Sequence, residues 1–203
     1  MRTELRFVGL GGQGVITLSH LLGRVLTVVE GRHAVVTEGY SPYVTGGWAR
    51  ADLVIADEPI TYPLVSSPQV LLSLYQGGYD EHIDLVTPGG LVLLEADVTT
   101  PRPQETRTTI AVPAFSIADS LGDRKVANMV MLGALVAATS VVQESAVLST
   151  IRDQYPKAVE RNHAAYAAGA AVAEGSPPWS GSLRRHGAPP QATSGGVAGG
   201  STT

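Results

Sequence analysis

Gly9, Gly11 and Gly14 stand in the stretch Leu5-Arg6-Phe7-Val8-Gly9-Leu10-Gly11-Gly12-Gln13-Gly14-Val15, directly after an apolar run and directly before a helical pattern. This is the G-x-G-x-x-G spacing in a strand–loop–helix context. Its chemistry is the holding of an anion or a ribosyl phosphate close to the backbone. On that reading Gly9 permits a tight turn, Gly11 lets a ligand approach, and Gly14 lets the helix pack on the sheet. The following helix would aim free N–H groups and the positive end of its dipole at the same spot. The same glycines also suit close packing of a strand on a helix with no ligand at all, and spacing alone leaves both readings open.

Other residues carry narrower suggestions. Glu38 lies at the end of a second expected strand, where an acid can bind a ribose 2′-OH in a dinucleotide site. A solvated or loop-capping carboxylate is the plainer account. It is preferred because the next stretch, Gly39-Tyr40-Ser41-Pro42-Tyr43-Val44-Thr45-Gly46-Gly47, does not read as a dinucleotide site. That stretch is a turn-rich loop with two tyrosines, suited to an interface or ligand surface or to a simple strand-to-strand connection. Arg50 and Asp52 can form an ion pair, Gln76 follows a strand end as a helix cap or crevice residue, and Asn128 is a lone amide inside an apolar helix. A buried amide needs partners, so Asn128 is expected to fasten its helix to a neighbouring loop, with ligand contact as the sharper alternative.

The composition bounds what these residues can be doing. The chain has 203 residues, 44% hydrophobic and 16% charged, enough for one domain with a sizeable core. A net charge of −4 gives no reason to expect nucleic acid as a partner. No apolar run reaches the ~20 residues of a membrane span, and no signal-peptide pattern opens the chain, so a cytoplasmic protein is expected. With no cysteine there can be no disulfide, thiol nucleophile or Cys-ligated iron–sulfur cluster in this chain. His20, His33, His82, His163 and His186 show no metal-ligand spacing, so no metal site is expected.

The elements that must position these groups follow from periodicity. A helix is expected over 14–30, strands over 33–38, 49–56, 69–74, 91–95 and 108–112, and a short extended piece over 60–63. Further helices are expected over 79–86, 115–122, 125–140, 144–155 and 157–174, the last rich in alanine. Alternation of strands and helices predicts an α/β fold, a Rossmann-like open and mostly parallel sheet flanked by helices. The domain is expected to span 1–174. Residues 175–203 form an extended Pro/Gly/Ser-rich C-terminal tail that would be disordered alone, and Trp179 and Leu183 would anchor it as it wraps a partner subunit.

The G-x-G-G-Q-G-V loop (Gly9–Val15) resembles the start of the gamma subunit of the 2-oxoacid:ferredoxin/acceptor oxidoreductases. So do Tyr40 with Gly46-Gly47, the turn Asp57-Glu58…Tyr62-Pro63, and Asn128…Leu132-Gly133-Ala134. The resemblance covers residues 4–172. The chain departs from it where the loop's acid and arginine would stand, since Tyr43 and Thr45 occupy those places and make the loop more apolar. The resemblance implies oxidative decarboxylation of a 2-oxoacid to acyl-CoA and CO2, with electrons passed to ferredoxin or to an NAD/flavin subunit. It places thiamine diphosphate, Mg and iron–sulfur clusters on partner alpha, beta and delta-type subunits, with CoA at the subunit interface and the gamma domain covering the active site. It assigns no catalytic residue to this chain. Gly11, Gly12, Gln13, Gly14, Tyr40, Tyr43, Gly46, Gly47 and Asn128 are the implied contacts to CoA or to the active-site roof. The Asp57…Pro63 turn favours 2-oxoglutarate, while the altered loop favours an aryl 2-oxoacid such as phenylglyoxylate. A stand-alone NAD-binding dehydrogenase using Gly9, Gly11, Gly14 and Glu38, and a purely structural subunit, are the alternatives.

Overall fold

The computed structural model describes residues 2–41, 47–103, 106–181 and 183. The strands are β1 (Arg2–Leu10), β2 (His33–Tyr40), β3 (Trp48–Ala56), β4 (Val70–Ser73), β5 (Leu91–Glu95) and β6 (Thr108–Val112). The helices are α1 (Val15–Arg24), α2 (Gln76–His82), α3 (Ala114–Ser120), α4 (Ala127–Thr139), α5 (Glu144–Gln154) and α6 (Val159–Glu174). The strands form one sheet in the order β2-β3-β1-β4-β5-β6. Pairing is parallel from β1 through β4 and β5 to β6. β3 alone runs the other way, antiparallel to both β1 and β2. The sheet is therefore mostly parallel, as expected, but the second and third strands form a hairpin rather than a crossover.

Successive side chains of a strand point to opposite faces, and the core divides accordingly. Leu5 and Phe7 of β1, Leu72 of β4 and Leu93 of β5 join the larger cluster, under α1 and α3 to α6. Val8, Leu71, Val92 and Leu94 join the smaller one, under Tyr79 of α2 and the turn after it. α4 and α6 cross backbone to backbone: a Cβ on Gly133 would lie 1.9 Å from the Tyr166 carbonyl oxygen, and one on Gly169 1.8 Å from that of Val130. The small residues of α6 thus serve a partner helix within the chain.

Several boundaries differ from expectation, each for a local reason. α1 ends at Arg24, and a π-helical turn carries the chain on over Val25–Val29. β2 continues past Glu38 to Tyr40 because its whole length pairs with β3. α2 starts at Gln76 instead of Tyr79, since Gly77 and Gly78 lie under the Tyr75 ring and leave it room. Residues 60–63 are not a strand. They belong to an irregular strap across the second face, tied to Arg2, Glu4 and Arg6, the alternate residues of β1 that point that way. Below the strap, Arg6 donates to both carboxylate oxygens of buried Asp52, at 2.7 and 2.8 Å, and Arg50 approaches the same carboxylate at 3.7 Å. The expected Arg50–Asp52 pair is thus secondary to a buried pair that periodicity could not show.

Trp179 and Leu183, expected to anchor a tail on a partner, are seated on this chain. The Trp179 indole donates to the Gly89 carbonyl at 2.8 Å, and Leu183 is buried in the larger core cluster. The rest of the tail from Arg184 lies outside the described residues.

Candidate functional site

β1 leads into α1 on one face of the sheet, while β4, its parallel neighbour, leads into α2 on the other. The carboxyl ends of two such strands part into a crevice, the usual ligand position in open α/β sheets. The glycine loop stands in it. The loop's tight turn falls at Gly12 and Gly14, with φ of +91° and +80°, and not at Gly9. Gly9 lies within β1, where a Cβ would come within 2.7 Å of the Val15 side chain. Gly11 donates to the Gly47 carbonyl at 2.8 Å, joining the loop to the β2–β3 connection. Around Gly12 nothing lies within 4 Å of where a Cβ would be, so its backbone faces open space. No side chain caps α1, whose first N–H groups have no acceptor within the helix.

Gln13 braces this loop. Its side-chain oxygen accepts from the Leu10 N–H at 2.6 Å, and its amide nitrogen donates to the Leu74 carbonyl at 3.3 Å, tying β1 to the end of β4. Asn128 holds the loop from behind: its amide donates to the Gly14 carbonyl at 3.4 Å, and a Cβ at Gly14 would collide with it. The expected fastening of α4 to a loop is what the structure shows.

Two cavities flank the loop and share Leu10 and Gly12. The smaller, about 370 Å³, is lined by Gly11, Gly14, the first residues of α1, Tyr40, Ser41 and Gly47. The larger, about 480 Å³, lies on the β4 side between Gln13, Leu74, Tyr75, Gln76, Val98, Phe115, Arg124 and Lys125. Its walls are mostly apolar, and its two cations stand on the short turn ahead of α4. The Arg124 guanidinium lies 4.4 Å from the centre of the Phe115 ring and 2.6 Å from Asp119. Cation–aromatic stacking and the ion pair hold it in one orientation. Beneath this wall Glu95 is fully buried and accepts N–H groups of Asp97 at 2.8 Å, Val98 at 3.0 Å and Phe115 at 3.0 Å. Burial pushes the Glu95 carboxyl above its ordinary value, while those N–H bonds oppose the shift. Gln76 exchanges hydrogen bonds with Thr100, donating at 3.3 Å to its carbonyl and accepting at 2.8 Å from its N–H. It caps no helix end, but fixes the second wall of the same cavity.

The structure thus brings together Gly11, Gly12, Gln13, Gly14, Tyr40 and Gly47, with Asn128 behind them. Tyr43 and Gly46 lie outside the described residues. Glu38 is engaged within the chain, hydrogen-bonded to His20 and receiving the Tyr40 hydroxyl. Those bonds, Tyr40's first, hold its carboxyl below the ordinary value. Because β3 is inserted between β1 and β2, Glu38 sits two strands away from β1, about 10 Å at ordinary strand spacing. In a dinucleotide site the acid-bearing strand would be β1's neighbour. Phe115, Arg124, Lys125, Tyr75 and Val98 were not among the sequence candidates. Only the Arg124-Lys125 pair at the head of an apolar helix was a readable signal, and nothing local linked it to a loop more than a hundred residues away. Among the described residues no three His, Asp or Glu side chains gather as a metal site, and no helix is long and apolar enough to cross a membrane.

The family model described as pyruvate ferredoxin/flavodoxin oxidoreductase matches residues 4–172. The 2-oxoglutarate synthase subunit KorC of Methanocaldococcus jannaschii is 38% identical over 178 residues, covering 86% of this chain and 95% of the relative. The keto/oxoacid ferredoxin oxidoreductase gamma subunit of Geobacter sulfurreducens superposes with a TM-score of 0.75 at 30% identity, over 86% of this chain and 99% of that one. A 2-oxoglutarate:ferredoxin oxidoreductase from Magnetococcus marinus, solved with 2-oxoglutarate, coenzyme A and succinyl-CoA bound, shares the fold. Its TM-score is 0.81 at 18% identity, over 93% of this chain and 33% of that one. The crevice, the hairpin-bearing sheet and these matches define a gamma-type oxidoreductase domain. The chain belongs to the pyruvate ferredoxin/flavodoxin oxidoreductase family.

Proposed function

We propose that this chain is the gamma-type subunit of a CoA-dependent 2-oxoglutarate:acceptor oxidoreductase, and that its glycine-loop crevice receives CoA. The reaction converts 2-oxoglutarate and CoA to succinyl-CoA and CO2, with two electrons passing to an acceptor such as ferredoxin. Thiamine diphosphate, Mg and the iron–sulfur clusters reside on the partner subunits, and this chain covers their active site. Support for 2-oxoglutarate comes from the KorC relative, which this chain matches over nearly its whole length.

The observation that carries the CoA reading is the pair of cavities meeting at Gly12. CoA is long, with an apolar-compatible arm and several phosphates. The larger cavity offers apolar walls with Arg124 and Lys125 at its edge, and the loop offers open backbone at Gly12 beside the uncapped end of α1. Phosphate at such a point gains from the helix dipole and from the cations together. Gln13 has both ends of its amide occupied, so contact here comes from backbone N–H groups, with Gln13 setting the loop's shape. Asn128 contributes in the same indirect way.

The complete complex tests this. CoA-dependent turnover of 2-oxoglutarate is expected, with phenylglyoxylate much slower. Lys125→Gln is expected to raise KM for CoA about tenfold with kcat little changed, the effect of one lost charge-assisted contact made equally in ground and transition states. Turnover of phenylglyoxylate in preference to 2-oxoglutarate would overturn the substrate. An unchanged KM for CoA in both Lys125→Gln and Arg124→Gln would overturn the location.

A further inference from the structure

We propose that Glu95, buried under the corner between β5 and α3, is a positioning residue for the ligand of the larger cavity. It holds α3 where that helix presents the Arg124 guanidinium to a phosphate of CoA. The inference rests on the reading that this cavity receives CoA, and adds to it the residue that sets the place of the cation.

Both partners of Arg124 belong to α3: the Phe115 ring, 4.4 Å from the guanidinium, and the Asp119 carboxylate at 2.6 Å. The guanidinium therefore goes where α3 goes. α3 is short, about two turns, and its buried residues are Ala114, Phe115 and Ala118. Two alanines give core packing little to grip. Nor does the residue at its own N-cap, Pro113, supply a side-chain acceptor. The first turn is held from the end of β5 instead. Glu95 accepts the Phe115 N–H at 3.0 Å, while Asp97 accepts the Ser116 N–H at 2.9 Å and the Ser116 hydroxyl at 2.7 Å.

The same carboxylate also governs the second hold. Its other oxygen accepts the N–H groups of Asp97 at 2.8 Å and Val98 at 3.0 Å, shaping the turn that carries Asp97 to Ser116. Three donors thus converge on two oxygens, and only an acceptor-only group can meet them all. A glutamine would turn its own N–H groups toward at least one backbone N–H. Glu95 is fully buried, a costly place for a carboxylate, and among the described residues its side chain bonds only to main-chain N–H groups. What it secures is the path from the end of β5 through α3 to a cation at the edge of the cavity.

The test uses the complete complex, with KM for CoA and kcat taken from 2-oxoglutarate turnover and Kd for CoA from calorimetry without the 2-oxoacid. Glu95→Gln is expected to raise KM and Kd for CoA together, by about three- to tenfold, with kcat within about twofold of wild type. Added to Arg124→Gln, it should raise KM no further, because it acts through that cation. Thr139→Val, buried at the far end of α4, is the control for lost stability and should leave KM unchanged. Asp97→Ala loosens the same helix start from an exposed position and should raise KM about two- to threefold; it carries the test where Glu95→Gln does not fold. An unchanged KM in these variants, or effects of Glu95→Gln and Arg124→Gln that add in full, would overturn the positioning role while a raised KM in Arg124→Gln left the CoA site standing. An unchanged KM in both Arg124→Gln and Lys125→Gln would remove the CoA site and this inference with it.

Discussion

Gly14→Ala separates the two meanings of the glycine loop. Gly14 has φ +80° and ψ +19°, a left-handed conformation that costs an alanine about 1–2 kcal/mol. A Cβ there would also stand 2.6 Å from the Asn128 amide nitrogen and 3.0 Å from its amide carbon, with α4 packed behind. Pushing a buried side chain aside in a tight core adds about 1–3 kcal/mol. The expected loss is about 2–5 kcal/mol, a fall in Tm on the order of 4–20 °C for a domain of this size. Asn128→Ala alone removes one long hydrogen bond and should cost about 1 kcal/mol. In Gly14→Ala/Asn128→Ala the collision with the amide disappears, leaving the backbone term, the lost hydrogen bond and a milder 3.1 Å contact with the Cβ at position 128. The double variant should then be more stable than the sum of the singles by about 1–3 kcal/mol, read from urea denaturation of the four proteins. A cost below about 0.5 kcal/mol for Gly14→Ala, coupled with a raised KM for CoA, would refute the packing argument. It would mean that Gly14 is reserved for ligand approach alone.

Three further outcomes follow from the same structure. Asp52→Ala leaves Arg6 buried without its carboxylate and is expected to cost about 3–5 kcal/mol, whereas Arg6→Met/Asp52→Leu should come near wild type; equal losses in both would show that the pair is not the cause. Glu4 is shielded from solvent, which opposes ionisation, but Arg2 and the N–H groups of Ser67 and Ser66 prevail and hold its carboxyl below the ordinary 4.5. A depressed carboxyl contributes stability that is present above the unfolded-state value and lost as pH falls through the folded one, so Glu4→Gln should flatten the acid limb of the stability profile below about pH 4.5. Gln13→Ala strips the Leu10 N–H and the Leu74 carbonyl of their partners and should lower stability by about 1–2 kcal/mol even without ligand; an unchanged Tm would assign Gln13 to the ligand instead.

The strand–loop–helix at the head of the chain was legible because its signals are local: an apolar run, glycines at fixed spacing, and a 3.6-residue pattern within one stretch. For the same reason β5 and β6 fall where their apolar runs predict, and Asn128 declares itself as the one amide inside an apolar helix. The mostly parallel sheet followed from the alternation of elements. What local pattern cannot carry is strand order. Antiparallel β3 between β1 and β2 takes Glu38 away from the glycine loop, and only long-range pairing decides it. The Arg6–Asp52 pair likewise joins residues on different strands, and the strap over them has no period to read. The larger cavity depends on β1, β4, β5, α2, α3 and α4 converging. Arg124 and Lys125 reach the loop through folding alone, and Gln13, placed by sequence among the ligand contacts, is held by Leu10 and Leu74 because β4 lies beside β1. Sequence determined which residues could meet an anion; the tertiary structure decided which cations stand beside them and which polar groups are already taken.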